Sequence, residues 1–259
     1  MTMRNSLLTV LGSVMLLGAA LPAQAESVLR VGLGADPDML DPHLARTYYG
    51  RFVFASLCDR LVDVDENLKV VPGLAKEWTW SEDGKTLTFN LREGVTFHDG
   101  EKFDAAAAKY NLDRALTLKG SLRKSEISSV ESVEVTGPMQ IALHLKTPDA
   151  ALLMQLTDRA GAMMAPEAAK KPDFAAHPVC SGPYKFDSRV SQDRIVLTRF
   201  DNYWNKDAYH FDKIIYLPIP DASVRLANLR AGDLDLTEGI AASDVKTVEA
   251  DSKLALAKV

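Results

Sequence analysis

The stretch "SEDGKTLTFNLREGVTFHDGEKF", residues Ser81–Phe103, decides the fold, because Gly84-Lys85-Thr86 inside it admits two readings. A nucleotide-phosphate loop has the form G-x-x-x-x-G-K-[ST] and opens a helix whose N-terminus faces the phosphates. The place of its first glycine is held by Thr79. Immediately after Lys85-Thr86 comes Leu87-Thr88-Phe89-Asn90-Leu91, which alternates apolar and polar residues with the period of a half-buried strand. Trp78-Thr79-Trp80 alternates on the near side, and Asp83-Gly84 is a tight-turn dipeptide. The stretch therefore reads as a β-hairpin, and the nucleotide reading is set aside.

Outward from that hairpin, the N-terminus indicates a compartment. Arg4 forms a short basic region, Leu7–Leu21 is mostly apolar, and Ala23-Gln24-Ala25 has the small-x-small form of a cleavage site. The apolar run is short for a membrane span, which takes roughly 20 residues. The expectation is an exported chain cleaved after Ala25, and no cysteine lies near that junction for lipid attachment. Losing Arg4 from 30 basic residues leaves 29 against 35 acidic ones, a balance of −6. Such a balance argues against a nucleic-acid partner, which would need a basic face. Two cysteines, Cys58 and Cys180, in a chain bound for an oxidising space leave both a disulfide and two buried thiols open.

Leu29–Leu33 reads as a first strand, followed by an irregular segment with Pro37 and Pro42 among three aspartates. From about Tyr49 the period becomes helical, with Phe54, Leu57, Cys58 and Leu61 on one face. Asp104 is a good N-cap for a helix over 105–116. Val133 and Val135, then Ile141, Leu143 and Leu145, alternate around Thr136-Gly137-Pro138 and form another hairpin. Ala150–Leu156 reads as a short helix, and Tyr184 to Phe200 as a strand pair. Ile214–Leu217 is apolar throughout, as a strand covered on both faces would be. Asp221 then caps a helix ending at Gly232, and Leu234–Leu236 forms the next strand. That strand–helix–strand succession implies an open α/β layer with a parallel pair.

No chemistry of bond-making is legible. The five histidines are scattered with no zinc-type spacing, and there is no G-x-S-x-G elbow. His177 and Cys180 lie three apart but with Pro178 between them, and no third group orients them. No catalytic residue, metal ligand or cofactor is expected. The remaining candidates are irregular, aromatic-rich junctions beside rigid elements, which is how binding surfaces are built. One is Arg46-Thr47-Tyr48-Tyr49. The other is Cys180-Ser181-Gly182-Pro183-Tyr184, where Gly182 permits close backbone approach by a ligand.

At these residues the chain becomes recognisable. "GADPDMLDPH", "LVDVDENLKVVPGLAKEWTWSEDGKTLTFNLREGVTFHDGEKFDA", "PVCSGPYKF", "RFDNYW" and "ANLRAGDLDL", in this order, resemble the dipeptide/oligopeptide/nickel class of extracytoplasmic solute-binding proteins of ATP-binding-cassette importers. The resemblance implies a type II periplasmic binding fold of two α/β lobes around a cleft, with an α+β domain inserted in the first lobe. The expected division is a signal peptide over 1–25, a first lobe over 26–45 and 178–259, and the inserted hairpin-rich domain over 46–177. Members are roughly twice this length, so an N-terminal fragment lacking the second lobe is expected, with a strand just beginning at Leu254.

The resemblance further implies a periplasmic protein that captures short peptides and docks on a membrane permease with ATPase subunits. Glutathione, an opine, haem or a nickel chelate is the alternative solute. Along the cleft it sets Tyr48, Tyr49, Ser181, Gly182 and Tyr184. Arg159 is the candidate partner of a ligand carboxylate, with a plain surface charge as the alternative. It also sets the segments of Cys58 and Cys180 side by side beneath the cleft, which favours a disulfide.

Overall fold

The structure is a computed structural model that describes residues 26–257. The expected signal peptide and its cleavage site lie outside the described residues. The chain runs β1 (Val28–Leu33), α1 (Gly50–Leu57), β2 (Val62–Val64), β3 (Val70–Pro72), β4 (Ala75–Trp80), β5 (Thr86–Leu91) and α2 (Ala105–Thr117). It continues through β6 (Val130–Gly137), β7 (Gln140–Leu145), α3 (Leu152–Gln155), α4 (Pro166–Ala169), β8 (Tyr184–Val190) and β9 (Arg194–Arg199). The last elements are β10 (Lys213–Pro218), α5 (Ala222–Ala231), β11 (Leu236–Thr237) and α6 (Val245–Glu249).

The Gly84 turn joins β4 to β5 in a hairpin. Gly84 sits at φ +65°, a left-handed conformation that suits glycine. The Asp83 carboxylate accepts from the Ser81 hydroxyl at 2.6 Å and from the Lys85 N–H at 3.1 Å, closing the turn. It leads into a strand, not into a helix. Leu87, Phe89 and Leu91 are buried on one face of β5, an interior strand of the antiparallel sheet β4-β5-β7-β6. α2 packs across β6 and β7, and its first turn is capped by Asp104, which accepts from the Ala107 N–H at 2.9 Å.

The second sheet has the order β11-β1-β10-β9-β8. β10 and β11 flank β1 and both run parallel to it, while β9 reverses. The crossover from β10 to β11 is α5, whose N-cap Asp221 accepts from Ser223 and Val224 and whose end is turned by Gly232 at φ +83°. The strand–helix–strand reading of that segment is thus an actual parallel unit. β10 is covered more fully on one side: Ile214 and Tyr216 are buried, Ile215 and Leu217 half-buried. α1 lies on the covered face, where the Tyr216 hydroxyl meets Ser56 Oγ at 2.8 Å and donates to Phe52 O at 2.9 Å.

The chain leaves this sheet after β1 and re-enters it at β8, and the antiparallel sheet is made from the residues between. Buried side chains of both sheets and of the segments packed on them, from Phe89 and Leu112 to Cys180 and Tyr216, form one contiguous cluster.

Three local expectations change. The helix from Tyr49 stops at Leu57 and does not reach Leu61. The groups that would extend it are taken by distant partners: the Gly182 N–H donates to Leu57 O, and the Leu61 N–H donates to Gly161 O. Cys58 is consequently the extended residue after the helix, although buried as expected. The helix over 150–156 shrinks to four residues. The strand anticipated from Leu254 is not formed within the described residues.

Candidate functional site

In open α/β sheets ligands bind beyond the carboxyl ends of parallel strands. Here β1, β10 and β11 end side by side at Leu33, Pro218 and Thr237. The residues just after these ends converge. The Gly34 N–H donates to Glu238 Oε1 at 2.8 Å across 204 positions of chain. A Cβ on Gly34 would sit 2.7 Å from that oxygen and 2.7 Å from the Tyr49 hydroxyl. A side chain at position 34 would displace the flexible ends of Glu238 and Tyr49.

The platform under them is Arg225 of α5, 5% exposed. Its guanidinium donates to Thr237 Oγ1, Ile219 O, Pro220 O and Gly239 O, so one side chain ties the ends of β10 and β11 together. Its Nη2 stands 4.0 Å from Glu238 Oε1.

Tyr49 enters from the N-terminal end of α1. Tyr48 beside it is 55% exposed and makes edge-on contacts with Tyr49 and Phe52. Asp38 shapes the junction before them by accepting from the N–H groups of Arg46 and Thr47 and from the Thr47 hydroxyl. Partial burial opposes its charge, but these donors outweigh that and hold its pKa below the ordinary carboxylate value.

Arg159 reaches the same junction from below. It is 6% exposed, which removes the surface-charge alternative, and its Nη1 donates to Ala45 O at 2.9 Å and Thr47 O at 3.2 Å. Burial first, and then the nearby Arg123 cation, lower its pKa from the ordinary guanidinium value. In this structure Arg159 braces the backbone that presents Tyr48.

The other expected group lies elsewhere. Tyr184 begins β8 at the amino ends of β1 and β10, and its hydroxyl donates to Phe211 O. Ser181 is fully buried and donates to Met163 O. Gly182 does admit a close backbone approach, but by α1 and not by a ligand: a Cβ there would lie 2.6 Å from Leu57 C and O. Tyr48-Tyr49 and Ser181–Tyr184 therefore sit at opposite ends of α1, about 12 Å apart along its axis. Cys58 and Cys180 are joined by a disulfide at the Gly182 end, so Cys180 has no thiol for nucleophilic chemistry. A groove of about 640 Å³ between Asp38-Met39, His177 and the Phe186–Ser191 edge includes none of the expected residues.

Residues 69–258 match the sequence model of the bacterial extracellular solute-binding proteins, family 5 (middle region). The chain belongs to this family. It is 35% identical over 218 residues to the glutathione-binding protein GsiB of Salmonella paratyphi A, covering 83% of this chain and 43% of that protein. The GsiB of Pectobacterium atrosepticum is 31% identical over 240 residues, 92% of this chain and 47% of that one. Among solved structures, the periplasmic binding protein AgaA of A. tumefaciens R10 in complex with agropinic acid matches with a TM-score of 0.79 and 29% identity, over 87% of this chain and 46% of that one. The Helicobacter pylori protein DppA in complex with the peptide STSA matches at 0.78 and 26%, over 88% and 49%. This family 5 chain spans about half the length of the relatives it matches. Its mixed α/β architecture is that of the type II periplasmic binding proteins.

Two features of this family 5 chain escaped sequence reading. Glu238 and Gly34 are distant in sequence and meet only through the β1–β11 pairing; "TEG", which begins on the last residue of β11, is the faint signal. The other is Asp59, next to the disulfide. Its carboxylate accepts from the Tyr203 hydroxyl at 2.8 Å and the Trp204 indole N–H at 2.9 Å. Burial outweighs both donors and the Arg60 cation and pushes its pKa up to about 6.

A carboxyl raised above its ordinary value binds more protons folded than unfolded, so its contribution falls as pH rises from about 4 to about 6. Asp59→Asn should remove a slope worth roughly 2–3 kcal/mol over that window. Urea unfolding of both proteins at pH 4.5 and 7 checks this. A wild-type-minus-variant difference that stays constant with pH contradicts it.

Proposed function

We propose that this chain is part of a periplasmic solute-binding protein that captures short peptides or peptide-like solutes and passes them to an ATP-binding-cassette permease. The observation that carries the reading is the convergence of Gly34, Tyr49 and Glu238 at the carboxyl ends of three parallel strands, beside the exposed ring of Tyr48. Family membership supplies the class, and the glutathione named for the GsiB relatives, itself a tripeptide, and the peptide bound to DppA supply the solute type. An opine is the second reading, carried by the agropinic acid complex of AgaA. Tyr48 and Tyr49 are the proposed ligand-facing residues of the expected set, with Arg159 setting their backbone.

This face touches a ligand from one side, short of the roughly 70–90% enclosure of a complete pocket. Affinity should therefore be weak, with Kd on the order of 0.1–1 mM, or about −4 to −5.5 kcal/mol. NMR titration of the exported chain with glutathione, trialanine and an opine measures it. Saturable shifts at Tyr48 and Gly34 with glutathione or trialanine support the peptide reading. Shifts with the opine alone move the chain to the second reading, and no shifts at 10-fold higher concentrations defeat both.

A further inference from the structure

We infer that the His98 side chain is an acid-operated latch: neutral, it clasps the turn over residues 97–101 to the segment entering β8, and its protonation opens the clasp at Cys180. The turn belongs to the connection from β5 to α2. It is closed by the Phe97 N–H donating to Glu101 O and the Gly100 N–H donating to Phe97 O. His98 at its corner meets the backbone of 180–182 three times. Its own N–H donates to Cys180 O at 2.9 Å, the Cys180 N–H donates to its Nδ1 at 3.2 Å, and its Nε2 meets Gly182 O at 3.0 Å. An amide N–H can only donate and a carbonyl can only accept, so these partners fix one neutral tautomer, bare at Nδ1 and protonated at Nε2. A second proton sets two N–H groups against each other across the 3.2 Å contact and removes the acceptor of Cys180.

Few charged groups face the ring. Asp99 stands beside it in the turn and Lys185 approaches from β8, while the loop after β9 offers the uncharged Phe200 ring edge-on at 5.1 Å. Burial lowers the His98 pKa to about 4; the Gly182 carbonyl and Asp99 oppose that, and Lys185 adds to it. The unfolded chain therefore takes up this proton first, and the clasp weakens as pH falls from about 6.5 toward about 4. Opening is local. Gly182 keeps its bond to Leu57 O, Ser181 its bond to Met163 O, and Cys180 its disulfide. Phe97 and Phe103 are buried on either side of the turn, so its corner swings while the sheet holds.

The test is NMR of the isotope-labelled exported chain, wild type and His98→Asn, titrated from about pH 7.5 to about 3.5. It follows the His98 ring nitrogens and the exchange of the Cys180 amide, with Leu87 in the interior strand β5 as the reference for global unfolding. The local difference is the readout because Asp59 changes global stability over the same range. At the neutral end Nδ1 should be bare and Nε2 protonated, and the ring should titrate near about 4. Across that titration Cys180 protection, corrected for intrinsic exchange, should fall roughly tenfold or more while Leu87 keeps its own. His98→Asn offers an oxygen to the Cys180 N–H with nothing to titrate, so its Cys180 protection should stay flat with pH.

A ring that titrates at about 6.5 overturns the inference on wild type alone, whether or not the variant folds. So does Cys180 protection that ignores protonation of the ring. Loss at Cys180 and Leu87 together is global unfolding and also overturns it, as does a pH dependence that survives His98→Asn.

Discussion

Replacing Cys58 and Cys180 by serine is expected to lower stability by about 3–5 kcal/mol, the scale for opening a loop of this size. The bridge spans 122 positions and is buried at both ends, so it limits the unfolded chain and leaves the folded surface unchanged. For a chain of this length the corresponding fall in Tm is roughly 6–20 °C. The loss should begin locally. The disulfide fastens the residue after α1 to the segment whose Gly182 N–H caps Leu57 O, beside the Asp59–Tyr203–Trp204 hydrogen bonds. Calorimetric melting of oxidised wild type, reduced wild type and the double serine variant decides the matter. Reduced wild type should melt with the variant, and a variant within 2 °C of the oxidised protein contradicts the expectation.

A comparable loss is expected from Arg114→Met. Arg114 on α2 forks onto Asp41, with N–O distances of 2.7 and 3.1 Å, and a second contact from Nη1 reaches His43 Nδ1 at 3.0 Å. Asp41 is 2% exposed and His43 fully buried, so neither is rescued by water. Burial, reinforced by the Arg114 and Arg123 cations, holds the His43 pKa well below its usual value and keeps the ring neutral. Removing the guanidinium leaves an uncompensated buried carboxylate, a change that costs about 3–5 kcal/mol in comparable sites.

Asp41→Asn in the same chain removes that charge and still accepts from the His43 N–H. It should therefore restore about half of the loss by the same reasoning. Urea unfolding of the single and double variants measures both. A double variant less stable than Arg114→Met would show that the buried charge is not what the single change exposes.

The elements legible in the sequence were those whose cause is local. The β4–β5 hairpin follows from alternation and Asp83-Gly84. The start of α2 follows from the Asp104 side chain reaching an N–H three residues on, and the limits of α5 from Asp221 and Gly232. In each case the deciding groups lie within a few residues of one another, so neighbouring sequence contains the whole physical argument. Motif order over most of the chain carried the family in the same direct way.

The tertiary structure decided what depends on partners far along the chain. α1 ends at Leu57 because Gly182 and Gly161 claim the groups of Leu57 and Leu61 that would carry it further. The two junctions expected to share a cleft are held apart because that helix lies between them, with Tyr49 at its start and Gly182 packed on its end. Gly34 and Glu238 meet only when β11 pairs with β1 and brings a carboxylate to a backbone N–H 204 positions away. Periodicity reports which face of an element is apolar; which distant backbone group completes its last hydrogen bond is settled only by the packed chain.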